Sequence, residues 1–217
     1  WLNEIAQSEG YDYISVAHHK DDQAESILAH IIRGSGLNGL TGMSVVQSEY
    51  AIPVVRPLLD VTKENLLAYI GTKHISYCVD STNEDVRYQR NRIRHRIIPE
   101  LEAVNPAVVD AIVRLGSSVN EDVMVISDLT SRTFDKLVSI GDDEVRISRR
   151  ALRQEPLAIQ RRLWQRLVST IDSDLTLTSA HQEQLLDIVN TGEKKTFTIK
   201  SIKVIAQCDT IKVYCKH

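Results

Sequence analysis

Apolar and polar positions alternate in two ways along the chain, and the change between them divides it. Tyr13 to Ala17, Tyr-Ile-Ser-Val-Ala, is a short apolar run bounded by polar residues and predicts a buried strand. From Lys20 to Arg33 the spacing becomes helical, and Gly34, Gly36, Gly39 and Gly42 then form a glycine-rich connection. Ile52 to Val55 predicts a second strand. Thr62 caps a helix running to about Lys73, and Ile75 to Val79 predicts a third strand ending in Asp80-Ser81-Thr82-Asn83. Strand and helix in alternation define an α/β parallel sheet.

Beyond Asp85 the pattern is mostly helical. A basic helix is expected to stop near Pro99, and Asn105-Pro106 is a cap followed by a first-turn proline. Val108, Ile112, Leu115, Val119, Val123 and Ile126 recur every three or four residues and predict one long amphipathic helix reaching Val138. Gly141-Asp142-Asp143 is a turn. Pro156 to Val168 and Ser179 to Val189 are two further helices, the second with Ser179 and Gln182 as a capping box. Thr196 to Ile199, Lys203 to Ala206 and Ile211 to Tyr214 are β segments. The expected organisation is an incomplete α/β domain over 1–101 and a mainly helical α+β domain over 102–217.

Composition adds little until it is resolved by position. The chain has 217 residues with ordinary apolar and charged content, and no run is apolar enough to cross a membrane. It opens on Trp1 directly into a helical segment, so it reads as a fragment with an unknown length upstream. Cys78, Cys208 and Cys215 form no C-x-x-C pair, which argues for reduced cytosolic thiols against a zinc or iron–sulfur site. Net charge is −3, yet Arg87, Arg90, Arg92, Arg94 and Arg96 crowd one segment. Arg146, Arg149, Arg150, Arg153, Arg161, Arg162 and Arg166 crowd another. Each cluster is either a local polyanion-binding face or a solvated helix face.

The candidate chemistry lies at two places. At the helical angle of about 100° per residue, His18, Asp22 and Glu25 share one stripe with Asp21 at its edge, while Ala24, Ile27, Leu28 and Ile31 take the neighbouring face. A helix start directly after a strand lies at the carboxyl edge of the sheet, where open α/β folds bind ligands. Carboxylates there can hold Mg²⁺ or grip an ammonium group, and the spacing of His18 and Asp22 also allows zinc. An acidic first turn that merely complements the helix dipole accounts for Asp21 and Asp22, but not for the paired histidines or Glu25. Arg33 offers a planar fork for phosphate or carboxylate beside Ser35. At the second place, Asp80 and Asn83 follow the third strand, and Arg87, Arg90 and Arg94 fall on one helical face opposite Ile93, Ile97 and Leu101. That face can bind phosphate or an RNA backbone, or else pair with Glu84 and Asp85.

These segments resemble a known family. His18-His19-Lys20-Asp21-Asp22-Gln23-Ala24-Glu25-Ser26 followed by Arg33-Gly34-Ser35-Gly36-Leu37-Asn38-Gly39-Leu40-Thr41-Gly42-Met43 resembles the second signature of the tRNA(Ile)-lysidine synthases. Arg56-Pro57-Leu58-Leu59, with Asp80 to Asn83 and Tyr88 to Arg94, is similar to their third region, and Ser26 stands where threonine is usual. The resemblance covers about residues 1 to 101. It implies an adenine-nucleotide-hydrolase-like PP-loop fold and a bacterial, cytoplasmic ligase. Such an enzyme uses ATP to adenylate the wobble cytidine of tRNA(Ile) with a CAU anticodon, and the ε-amine of free L-lysine then displaces AMP to give lysidine.

By the same resemblance Asp21, Asp22, Glu25 and Arg33 are the catalytic set. Asp22 and Glu25 hold lysine's amino group, and Asp21 assists with Mg²⁺. Arg33 and Ser35 contact nucleotide or lysine. His18, His19, Asp80 and Asn83 line the substrate site, and Arg90, Asn91 and Arg94 buttress it or reach the tRNA. A homodimer stays open. The family's Ser-Gly-Gly-x-Asp-Ser phosphate loop does not occur in these residues, so the chain alone is expected to be inactive. Two other readings compete: a tRNA thiolase of the same superfamily, weakened by the missing C-x-x-C pair, and a non-catalytic tRNA-binding module.

Overall fold

The computed structural model describes residues 1–78, 87–141, 144–191 and 194–215. They fall into two compact units, Trp1–Val123 and Met124–His217. In the first, α1 (Leu2–Ser8), β1 (Ile14–Ser15), α2 (Lys20–Ile32), α3 (Leu37–Leu40), β2 (Val46–Gln47), β3 (Val54–Val55) and α4 (Lys63–Lys73) follow in order. The sheet order is β1-β3-β2. β1 and β3 are parallel, with Ile14 opposite Val54, whereas β2 is antiparallel to β3. β2 has no counterpart in the sequence reading: two residues are too few to show a period. Thr62 caps α4 as expected, its hydroxyl accepting from the Asn65 N–H at 3.2 Å.

Three expectations need correction here. Ile75 to Cys78 form no strand; these residues are exposed, without a ladder partner. A β-prone run becomes a strand only where a neighbour offers hydrogen bonds and cover. The last residue of that expected strand, Val79, lies outside the described residues. The basic helix does not stop at Pro99. It runs as α5 (Gln89–Arg92), a π turn over Ile93–Ile97 and α6 (Ile98–Val104). In the π turn Ile98 N–H reaches back five residues to the Ile93 carbonyl, and this wider turn carries the chain past the proline, which lacks a donor. Ile31, assigned to the packed face of α2, is largely exposed, whereas Ala24 and Ile27 are fully buried.

The long helix forms as α7 (Val108–Leu137), started by Asn105, whose side chain accepts from Ala107 N–H at 3.0 Å. In the second unit β4 (Val138–Ile140), β5 (Val145–Ser148), α8 (Arg149–Gln154), α9 (Leu157–Ile171), α10 (Ser179–Asn190), β6 (Lys195–Ile199), β7 (Ile202–Gln207) and β8 (Thr210–Cys215) follow. The β4–β5 hairpin was not expected. All strand pairs are antiparallel, in the order β4-β5-β8-β7-β6. Leu163, Trp164 and Leu167 of α9 and Leu185 and Val189 of α10 bury against Ile202, Val204, Ile211 and Val213 of the sheet. The capping box of α10 sits one residue earlier than expected. The Thr178 hydroxyl accepts from His181 N–H, and His181 Nδ1 accepts from Thr178 N–H.

The second arginine cluster is largely committed to this unit's own structure. Arg149 is buried and donates to the Val189, Thr191 and Cys208 carbonyls, and Arg153 donates to Val189 and Thr191. Cations there complement the negative end of α10. Arg166 lies over the Phe134 ring, 4.9 Å from its centroid. Arg146 pairs with Glu144.

Candidate active site

The start of α2 follows β1 at the carboxyl edge of the β1–β3 pair, and its acidic residues turn inward. Asp22 and Glu25 are only 6% and 2% exposed. A buried carboxylate must find opposite charge and donors. Both find them on α5 and the π turn that follows it. Arg90 Nη2 donates to Asp22 Oδ1 at 2.7 Å and Arg90 Nε to Glu25 Oε2 at 3.0 Å. Arg94 Nε donates to Glu25 Oε1 at 2.5 Å, and its Nη2 to Asp22 Oδ1 at 2.8 Å and Glu25 Oε2 at 3.0 Å. The remaining Asp22 oxygen, Oδ2, accepts from the His19 N–H at 3.0 Å, one half of a capping box.

Two carboxylates and two guanidiniums thus form one charge-balanced cluster in which all four carboxylate oxygens are engaged. The bonds to Glu25, supported by Asp22, outweigh the effect of burial and raise the Arg94 pKa. The two arginines differ in access. The Arg90 side chain is 52% exposed and that of Arg94 21%.

Asp21 is committed elsewhere. Its Oδ2 accepts from Lys63 N–H at 2.8 Å, holding the first turn of α4, and lies 3.3 Å from His19 Nδ1. The His19 imidazole and the Lys63 N–H, working against burial, hold its carboxyl down at about 2. No group of three or more His, Cys, Asp or Glu converges as a metal centre among the described residues. Asp21 alone, with one oxygen already bonded, does not build a Mg²⁺ site.

The folded Asp21 pKa lies below the unfolded value of 3.8, so its contribution to stability is fully present above pH 3.8 and is lost as pH falls towards about 2. The stability difference between the native chain and Asp21→Asn should therefore shrink through that window, as read by urea unfolding at stepped pH. A difference that stays constant would remove Asp21 from this role.

The glycine-rich connection is pinned by Gln23, a residue the sequence reading passed over. Gln23 Nε2 donates to the Met43 carbonyl at 2.9 Å and its Oε1 accepts from Met43 N–H at 2.5 Å. Gly42 sits at φ +72°, and a Cβ there would come within 2.6 Å of Gln23 Oε1. The clue was available: Gln23 is four residues before Ile27, so it falls on the buried face, where a polar group must be paired. Arg56, quoted only as part of a motif, is the other omission. It is buried just after β3 and donates to His18 Nδ1 at 3.2 Å, the Ser44 carbonyl at 2.9 Å and Gln47 Oε1 at 2.9 Å.

The remaining expected residues divide. Arg33 is exposed and, with Glu25, Ser26, Ala29, Met43, Gln89 and Arg90, lines a cavity of about 210 Å³. Ser35 is half-buried in the connection and does not line this cavity. Asn91 is half-buried on α5. Asp80 and Asn83 lie outside the described residues.

A parallel strand pair with an acidic helix start at its carboxyl edge is the place where open α/β folds bind ligands, and comparison with known proteins narrows the class. Residues 1–101 match the PP-loop domain. The tRNA(Ile)-lysidine synthase of Geobacter sulfurreducens is 30% identical over 188 residues, covering 86% of this chain and 40% of that protein. That of Porphyromonas gingivalis strain W83 is 40% identical over 114 residues, covering 52% of this chain and 24% of its own length. That of Caldanaerobacter subterraneus is 29% identical over 215 residues, 98% of this chain and 44% of that one. The U34-tRNA thiolase NcsA from Methanococcus maripaludis is a remote structural neighbour, 21% identical over 55% of this chain and 40% of its own, with a TM-score of 0.42.

Residues 1–101 are thus a PP-loop domain. The chain is similar to the tRNA(Ile)-lysidine synthases over most of its length, and it spans between 24% and 44% of the length of these relatives.

Proposed function

We propose that the chain is the lysine-handling part of an ATP-dependent ligase that joins free L-lysine to the wobble cytidine of tRNA(Ile) with a CAU anticodon, through an adenylated cytidine. The observation that supports this best is the buried pair Asp22 and Glu25 on one helix at the sheet's carboxyl edge, in a chain whose relatives are named for that product. On this reading 1–101 belongs to the catalytic domain and 102–217 to the tRNA-binding part.

Asp22 and Glu25 receive the lysine ammonium, and Arg94 stays bonded to both. Arg90, the more exposed of the two arginines, gives way when the ammonium enters. Arg33 faces the adjoining cavity and offers its fork to the lysine carboxylate or a nucleotide phosphate. ATP is a substrate, gripped by a phosphate loop that these residues do not contain. The ε-amine, once deprotonated, forms the new carbon–nitrogen bond at the cytosine C2, and AMP leaves.

The test is incorporation of radiolabelled lysine by the full-length protein into a tRNA(Ile) transcript with CAU, against one with UAU. Lysine incorporation that requires ATP and C34 is the expected result. Retained tRNA binding with no incorporation under any condition would leave a binding module and overturn the reading.

A further inference from the structure

Arg56 is a buried cation whose three described side-chain bonds all end on neutral acceptors: His18 Nδ1, the Ser44 carbonyl and Gln47 Oε1. A guanidinium can only donate, so the ring nitrogen it touches must present a lone pair. That excludes a proton on His18 Nδ1 and leaves the ring's proton on Nε2.

We infer that Arg56 is a positioning residue: it fixes His18 as the neutral, Nε2-protonated imidazole, whose N–H is a donor for an anionic oxygen of the substrate at the sheet edge. The inference rests on the ligase reading for its substrate, not for the state of the ring. Arg56 follows β3 and His18 follows β1, so two neighbouring parallel strands deliver donor and ring to the same edge. Ser44 and Gln47 hold the fork from the far side, and the Arg56 N–H is itself bonded to the Val45 carbonyl at 2.8 Å. The guanidinium therefore has little freedom to turn away.

Bonding Nδ1 to a cation polarises the ring and strengthens Nε2–H as a donor. Of the charged and titratable groups around the ring, Asp22 and His19 come from the same segment, Arg56 from behind β3 and Arg90 from α5. Burial lowers the His18 pKa, Asp22 opposes it, and Arg56 and Arg90 lower it further. A neutral donor beside two arginines suits a carboxylate or phosphoryl oxygen, since it adds a directed bond without a further fixed positive charge.

The test reads the ring directly, without turnover. Long-range nitrogen–proton NMR of the histidine rings in the full-length protein, with His18 assigned through His18→Gln, should show Nδ1 unprotonated and Nε2 protonated between about pH 7 and 8. A proton on His18 Nδ1 in that range overturns the inference. In Arg56→Lys the Nε donor to His18 Nδ1 is lost, and the ring should gain a population protonated on Nδ1. An unchanged tautomer in a folded variant also overturns it. If Arg56→Lys fails to fold, the native ring's tautomer still decides.

Ligand arms identify the oxygen. L-lysine shifting His18 Nε2 where cadaverine does not marks a carboxylate, and AMP shifting it marks a phosphate. Silence in every arm ends the donor role. If lysine incorporation is absent while the tautomer is as stated, the ligase reading fails and the hold of Arg56 on the ring stands.

Discussion

Replacing Arg94 with alanine should destabilise the first unit by about 3–5 kcal/mol, the range for removing one partner of a buried ion pair. Glu25 is almost completely enclosed and keeps three guanidinium bonds in the native chain, two of them from Arg94. Removing Arg94 strands that carboxylate, and Asp22 beside it, with a single half-exposed cation. Arg90→Ala should cost far less, about 1 kcal/mol, because its exposed side chain is already well solvated and water can take its place.

Urea unfolding followed by hydrogen exchange of the α2 amides isolates the effect to this unit. Equal costs for Arg90→Ala and Arg94→Ala would show that the cluster is not organised around Arg94.

The contrast between these two arginines was not visible in the sequence. Periodicity placed Arg87, Arg90 and Arg94 on one face because it assumed an unbroken α-helix from Asp85. The π turn over Ile93–Ile97 changes the angles in the segment that carries Arg94. What periodicity did establish was the helix of the acidic signature, with its boundaries nearly right, because a strand, a cap and a glycine stop agreed with one another. The sequence also grouped Asp22 and Glu25 on one stripe, and the structure brings both to Arg90 and Arg94.

It could not tell an inward stripe from an outward one. The spacing sets the carboxylates beside the apolar face without saying how deep they lie, and here they are more deeply buried than Leu28, because arginines some 70 residues later supply the opposite charge. The same limit applies to Asp21, whose neighbours in the chain suggest a metal and whose partner is the N–H of Lys63, 42 residues away. Short strands were lost for a related reason. β2 draws stability from its ladder with β3, and β5 from its ladders with β4 and β8, and two to four residues hold too little pattern to show it.

On the ligase reading, Asp22→Asn should lower kcat/KM for lysine by about 100-fold, or about 2.7 kcal/mol, the scale of a lost charge-assisted bond to substrate. The isostere keeps the His19 N–H bond available but removes the charge that attracts an ammonium. Asp22 Oδ1 accepts from both arginines and so has no donor-free direction in this structure. An incoming ammonium must therefore exchange with one of them, and Arg90 is the one water already reaches. Two consequences separate this exchange from a purely structural role. Arg90→Ala should lower KM for lysine, since its competitor at Asp22 is gone, while Arg94→Ala should raise it. The tRNA affinity of Asp22→Asn should stay within about threefold of the native protein, because neither buried carboxylate faces a phosphate. If Asp22→Asn instead leaves lysine kinetics unchanged in a folded protein, the four-residue cluster is scaffold alone, and the ammonium site must be sought in the cavity that Arg33 lines.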